Sequence, residues 1–256
     1  MSEPQVSGQP LQTFPLSFSR VDADGEMDEA EVPELENGDR LLRAEFERRY
    51  EAMPQLKKAE LIKGVVYVGS PVKHKRHSKP HSVMVGLLFT YAAATPGTET
   101  GDNGSVRLDD ENTPQPDAIL RILAECGGQS LEDDEDYLQG TPELVVEVAS
   151  SSASYDLHDK KDVYGQFGAQ EYIVWRTRNR ALDWFRLENN AYVRLEPDAT
   201  GVIESRVFPG LRLAVPALLQ GDLATVLAEL QTGLASPEHA AFVEQLVQRK
   251  QQIAST

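Results

Sequence analysis

Hydrophobic residues take up helical and strand spacings in turn along the chain from residue 39 onward. Apolar residues every three or four positions predict a first helix that begins at Asp39 and ends at Pro54. Residues 59–68 are typical of two short strands around a Lys-Gly turn. Residues 83–94, apolar almost all round, predict a buried helix that follows Pro80.

Strand patterns dominate the middle of the chain. The predicted strands are 105–108, 116–123, 143–149, 171–175, 181–187, 192–195 and 202–208. A helix over 157–167 separates the third of these strands from the fourth, and 217–230 and 237–253 predict a C-terminal helix pair. We therefore predict an α/β fold, in the form of an α+β mixed sheet with flanking helices.

Acidic residues concentrate at the start of the chain. The net charge of the 256 residues is −16, and residues 1–38 contain nine acids and one base. Since this segment also lacks sustained periodicity, we expect an acidic, flexible or loosely docked arm over 1–38. The predicted organisation continues with an α/β domain over 39–215 and a helical extension over 216–256.

Composition narrows the class of protein. The one cysteine, Cys126, can form neither an internal disulfide nor a cysteine zinc site. The first residues lack the pattern of a secretory leader, and the longest apolar run, 83–94, is too short to cross a membrane. We expect a cytoplasmic protein with no membrane partner.

Two acids stand inside apolar strand patterns. Glu147 interrupts the continuous apolar run 143–149, and Asp117 follows Pro116 at the start of another strand. Glu147 could instead face water from an edge strand, and Asp117 could be an ordinary strand-end aspartate. If the strands pair, the two carboxylates converge and could bind Mg²⁺ through oxygen.

A polar segment follows the Glu147 strand. Asp156 fits a helix N-cap, with Asp159 three residues on as in a capping box. Lys160 could lean back over the strand end, where it could hold an attacking water or stabilise negative charge. A salt bridge from Lys160 to Asp156, four residues away, is the structural alternative.

Several motifs together resemble the putative restriction endonuclease family of the PD-(D/E)XK nuclease superfamily. The matching segments are Gln115-Pro116-Asp117, Pro142 to Val148, Asp156-Leu157-x-x-Lys160-x-x-x-Tyr164, Gly168-x-x-Glu171-Tyr172 and, in the first hairpin, Glu60-Leu61-Ile62-x-Gly64. The resemblance spans about residues 40–215. It implies a restriction-endonuclease-like core, with Asp117, Glu147 and the Val148 carbonyl as ligands of Mg²⁺ or Mn²⁺.

The chain departs from the superfamily pattern at the lysine. The pattern requires Glu-x-Lys, whereas this chain has Glu147-Val148-Ala149, and Lys160 on the following helix is the implied replacement. Ser151 also stands where relatives often carry proline. Glu60 could complete the acidic cluster, or it could be a plain hairpin residue.

The most basic stretch, residues 73–81, precedes the buried helix. Its candidate DNA contacts are Lys73, Lys75, Arg76, His77, Lys79 and His81. A solvated loop is the alternative, and we expect Pro80 to prevent a continuous helix through its histidines. Arg176, Arg178 and Arg180 form a second basic group that could contact the DNA backbone or simply be a solvated hairpin.

These observations favour a metal-dependent endonuclease that hydrolyses DNA phosphodiester bonds. Asp117, Glu147 and Lys160 are the predicted catalytic residues. A nuclease fold without catalysis, serving as a binding or assembly module, is the first alternative, since the acidic charge opposes DNA binding. A hydrolase of small phosphorylated substrates is the second. A homodimer would suit cleavage of two strands.

Overall fold

A computed structural model describes residues 32–69, 73–150 and 152–255. The helices are α1 (Arg43–Glu51), α2 (Lys79–Ala94), α3 (Ala153–Leu157), α4 (Asp159–Gln166), α5 (Val215–Gln220), α6 (Leu223–Leu234) and α7 (Pro237–Ala254). The strands are β1 (Ala59–Ile62), β2 (Val65–Val68), β3 (Thr98–Gly101), β4 (Val106–Arg107), β5 (Ala118–Ile122), β6 (Leu131–Glu132), β7 (Leu138–Gln139), β8 (Leu144–Ala149), β9 (Glu171–Arg176), β10 (Ala181–Glu188), β11 (Ala191–Arg194), β12 (Val202–Glu204) and β13 (Arg212–Ala214).

A six-stranded mixed sheet forms the centre of the fold, in the order β11-β10-β9-β8-β5-β3. Within this sheet, β8 and β9 pair in parallel and the other neighbouring strands are antiparallel. A parallel pair needs a crossover, and α3 with α4 supply it. Every residue of β8 is buried, because strands flank it and helices cover both of its faces.

The two faces of the sheet pack against different helices. Val146 and Val148 belong to the larger apolar cluster, which α2, α6 and α7 complete. Val145 and Ala149 belong to a second cluster with Tyr164 of α4. Since side chains alternate along a strand, Glu147 lies on the α4 face of the sheet.

The predicted hairpin over 59–68 is confirmed. β1 and β2 pair around the Lys63-Gly64 turn, and the backbone of Leu61 also bonds to Thr113. Apolar residues of the hairpin pack against Phe46 of α1. This second layer holds β1 beside the segment that leads into β5.

Several local predictions were wrong, and each has a physical cause. Residues 74–78 form a π-helical turn that runs directly into α2, since Pro80 occupies the first turn, where no amide partner is needed. The predicted helix over 157–167 is divided at His158, so Asp156 lies inside α3 and is not an N-cap. Gly221, with φ of 81°, divides the helix predicted over 217–230 into α5 and α6.

The ends of the chain bear on the predicted domain boundaries. Most of the predicted acidic arm, residues 1–31, lies outside the described residues, as does Ser151. Leu35 is buried beside Phe46. Leu230 and Leu246 of the C-terminal helices belong to the same apolar cluster as α2.

None of the described helices is long and apolar enough to cross a membrane.

Candidate active site

Pairing of β5 with β8 brings Asp117 and Glu147 side by side. Ala118 lies opposite Val146 in this antiparallel ladder, and the same register places Asp117 opposite Glu147. Both acids are buried, with 2% of each residue exposed. Two carboxylates at facing positions of a strand pair repel each other unless cations or hydrogen-bond donors compensate them.

Three donors surround the Asp117 carboxylate. The Val148 amide donates to Oδ2 at 2.7 Å, Lys58 Nζ lies 3.0 Å from Oδ1, and His77 Nε2 lies 3.3 Å from Oδ2. Burial alone would raise the pKa of Asp117, but the His77 and Lys58 contacts outweigh it and lower that pKa. His81 contacts the Asp117 backbone carbonyl at 2.6 Å rather than the carboxylate. Asp117 is therefore ionised at neutral pH.

Lys160 lies between two carboxylates. Its Nζ is 2.7 Å from Glu60 Oε1 and 2.5 Å from Glu147 Oε1. Burial opposes the charge of Lys160, but Glu147 and Glu60 outweigh it and raise the pKa of Lys160 well above the usual value. The structural alternative, a salt bridge from Lys160 to Asp156, is not formed, since its partners are Glu60 and Glu147.

Glu147 depends on this lysine for its charge. Burial raises the pKa of Glu147, and the Lys160 ammonium offsets part of that rise. The Tyr164 hydroxyl, 3.5 Å from Glu147 Oε1, is a weaker contact. Lys160 thus couples Glu60 from the hairpin with Glu147 from the central sheet.

These side chains line one cavity of about 620 Å³. Of the residues predicted from sequence, it contains Glu60, Lys73, His77, Asp117, Glu147 and Lys160. It also contains Lys58, Tyr67, Ser150, Ser152, Tyr155, Asp156 and Arg178. We call it the acidic-basic cavity because both carboxylates and cationic side chains line it.

The remaining candidates for DNA contact lie elsewhere. Lys75 and Arg76 are exposed on the π-helical turn and do not line the cavity. Lys79 lines a separate, mainly apolar cavity between α2 and α6. Of the second basic group, Arg178 lines the acidic-basic cavity, whereas Arg176 is paired with Asp183.

Sequence reasoning missed Lys58 at this site. Lys58 directly precedes β1 and stands two positions before Glu60. Residues two apart in an extended chain face the same side, so this spacing was the available signal. Tyr155, whose ring packs 4.2 Å from that of Tyr67, carried no such signal because its helix was predicted to begin later.

The ligand atoms available at this site are oxygens, the type that a hard divalent cation prefers. Asp117 and Glu147 offer carboxylate oxygens, and the Val148 backbone faces β5 at a point where the partner position is Pro116. Proline has no N–H, so the ladder provides no donor for the Val148 carbonyl. The Tyr155 hydroxyl is buried without a hydrogen-bond partner, which leaves a polar atom in this wall unsatisfied.

A ready-made cluster of acid ligands is nevertheless absent from the described part of the chain. Within it, no group of three or more His, Cys, Asp or Glu side chains is arranged to hold a metal. The Lys58 and Lys160 ammonium groups contact the carboxylates instead. A cation at Asp117 and Glu147 would therefore compete with protein cations.

Comparisons with known proteins agree on fold and family. The model of the Uma2 family, described as putative restriction endonuclease, matches residues 43–216. A solved structure of a putative nuclease belonging to DUF820 from Anabaena variabilis is similar with a TM-score of 0.52 and 14% identity, over 68% of this chain and 96% of that one. No curated protein matches the chain. The predicted restriction-endonuclease-like fold class is confirmed, and the chain belongs to the Uma2 family of putative restriction endonucleases.

Proposed function

We propose that this chain is a metal-dependent endonuclease that hydrolyses DNA phosphodiester bonds. The observation that supports it most is the pairing of Asp117 with Glu147 in a cavity that also contains Lys58, Lys73 and Arg178. Carboxylates suit a divalent cation, and the cationic side chains suit the phosphates of the substrate.

Asp117, Glu147 and the Val148 carbonyl would hold Mg²⁺ or Mn²⁺, with Glu60 as a further acid beside them. When bound, such a cation makes hydroxide available near neutral pH and stabilises charge on the phosphate. The low pKa of Asp117 keeps that ligand ionised without a cation.

Lys160 would act mainly through its two carboxylates. It is the cation that contacts Glu147, and it holds Glu60 beside Glu147. The lysine of the superfamily pattern is missing from β8. Lys160, on the following helix, is the lysine that contacts Glu147 in this chain. Lys160, predicted from the sequence to orient the nucleophile, would do so indirectly, through the carboxylates that it contacts.

The basic start of α2 would contact DNA phosphates. Lys73 and His77 line the cavity, while Lys75, Arg76 and Lys79 are exposed nearby along the chain. His81 would support this segment by its contact with the Asp117 carbonyl. A homodimer would present two such sites to two strands.

A binding module with the same fold but no catalysis is the second candidate. It is favoured by the protein cations that already compensate Asp117, Glu60 and Glu147. The two candidates differ in one outcome, which is cleavage.

The test is cleavage of supercoiled and linear DNA by the full chain with Mg²⁺, Mn²⁺ or EDTA. We expect cleavage with either metal, none with EDTA, and a loss of at least about 100-fold in Asp117→Asn and Glu147→Gln. Glu111→Gln, a change at an exposed acid, is the matched control. DNA binding without cleavage in every metal would favour the binding module, and neither binding nor cleavage would contradict both candidates.

A further inference from the structure

Three lysines line the acidic-basic cavity, and the two that contact its buried acids, Lys58 and Lys160, differ in access to it. The Lys160 side chain is 1% exposed, whereas the Lys58 side chain is 26% exposed. Lys58 is therefore the more accessible of the two to a substrate phosphate that enters the cavity. Such a phosphate could meet Lys160 only after displacing buried groups.

The two lysines also differ in what their carboxylate partners would lose. Lys160 joins Glu60 and Glu147, and removing it leaves two buried acids without their shared cation. Lys58 contacts one oxygen of Asp117, which keeps the Val148 amide and His77 as donors on its other oxygen. Turning Lys58 away from Asp117 therefore costs much less free energy than displacing Lys160 from Glu60 and Glu147.

The backbone of Lys58 is fixed although its side chain is accessible. Its carbonyl accepts a bond from the Gly69 amide at 2.9 Å, and the next amide, of Ala59, donates to the Tyr50 hydroxyl at 3.2 Å. Gly69 packs against the Lys58 side chain so closely that a Cβ there would lie 3.0 Å from Lys58 Cβ. The ammonium is therefore presented to the cavity from a defined position beside Asp117.

We propose that, of the two lysines that contact the buried acids, Lys58 is the one that contacts a substrate phosphate, and that Lys160 is a positioning residue for Glu60 and Glu147. The proposal rests on the proposed function, because it assigns a role within the same site. Binding of a cation by Asp117 would free Lys58 for this contact, since both compete for the same carboxylate.

The test measures binding of a fluorescent oligonucleotide by the full chain in EDTA, where cleavage does not interfere. Asp117→Asn serves as the background, because Lys58 then loses the carboxylate that it contacts. In that background, Lys58→Met should weaken binding about tenfold, as expected for loss of one charged hydrogen bond. The dependence of log affinity on log salt should flatten by about 0.7 for single strands or about 0.9 for duplex.

Two matched variants test whether a loss of oligonucleotide binding comes from the Lys58 contact itself, from the loss of a charge or from misfolding. Lys57→Met removes an adjacent, exposed lysine, so in the same background it should not weaken oligonucleotide binding. Lys58→Arg keeps the charge and should retain most of the affinity. In the chain with Asp117 intact, Lys58→Met should raise KM for Mg²⁺-dependent cleavage by about tenfold, whereas Lys160→Met should mainly lower kcat.

The outcomes distinguish this proposal from the proposed function. If Lys58→Met binds the oligonucleotide as tightly as its background, with an unchanged salt slope, Lys58 acts only as a partner of Asp117 and the proposal is overturned. Cleavage by the wild-type chain would still support the proposed function. If the wild-type chain neither binds nor cleaves DNA, both fail together.

Discussion

Replacing Lys160 with methionine tests how the buried acids are kept charged. The side chain is 1% exposed and contacts Glu60 and Glu147, which are themselves buried. Methionine fills much of the same volume but leaves both carboxylates without their shared cation. Removing one partner of a buried ion pair costs about 3–5 kcal/mol, and we expect a loss of that size in the free energy of unfolding at pH 8.

The cost should depend on pH in a definite direction. In the variant, burial of Glu147 is no longer offset by Lys160, so its pKa in the folded state lies further above the ordinary 4.5. The folded form then binds more protons than the unfolded form above that pH, and its stability falls as pH rises. Lys160 itself stays protonated from pH 5 to pH 8, because its pKa is raised well above the usual value.

Urea denaturation of both proteins at pH 5 and pH 8 measures this difference. We expect the variant to lose at least about 1.4 kcal/mol more at pH 8 than at pH 5, the equivalent of one pKa unit. Lys161→Met is the control, since Lys161 lies over the Phe185 ring at 3.9 Å and its loss should cost about 1 kcal/mol or less at either pH. Equal costs for Lys160→Met at the two pH values would refute the coupling of Lys160 with Glu147.

Two further predictions concern neighbouring parts of the fold. Burial raises the pKa of Asp156 from 3.8 to about 6 despite the Ser152 hydrogen bond, so the folded form binds more protons than the unfolded form between those pH values and its stability falls as pH rises through them. Asp156→Asn should therefore stabilise the chain by up to about 3 kcal/mol at pH 8, but not below pH 4, as measured by urea denaturation. A Cβ at Gly128 would lie 1.8 Å from the Ile122 carbonyl oxygen, so Gly128→Ala should cost more than about 2 kcal/mol, whereas Gly86→Ala, in open space on α2, should be neutral or stabilising in the same assay.

The sheet and its two acids were predictable because burial leaves a direct mark on sequence. β8 is apolar at every position but one, and that pattern predicted both a covered strand and an unusual role for Glu147. Pro116 before Asp117 marked the start of the adjacent strand. Their register, however, depends on which strands pair, and a single sequence does not contain that information.

The helical segments were less predictable because their ends depend on tertiary contacts. Helical spacing continues across His158, so sequence alone could not show that α3 ends there and α4 begins. The sequence pattern predicted Asp156 as a helix cap. In the fold its carboxylate is buried and accepts a hydrogen bond from the Ser152 hydroxyl instead. Lys58 escaped notice for a related reason, because its partner Asp117 is distant in sequence and adjacent only in the folded chain.

The acidic net charge does not describe the acidic-basic cavity. The cavity is lined by four carboxylates, Glu60, Asp117, Glu147 and Asp156, and by four Lys or Arg side chains, Lys58, Lys73, Lys160 and Arg178. Its formal charge is therefore balanced, while the whole chain carries −16. A divalent cation would make this wall net positive, so cation uptake and attraction of a phosphate should reinforce each other at this cavity.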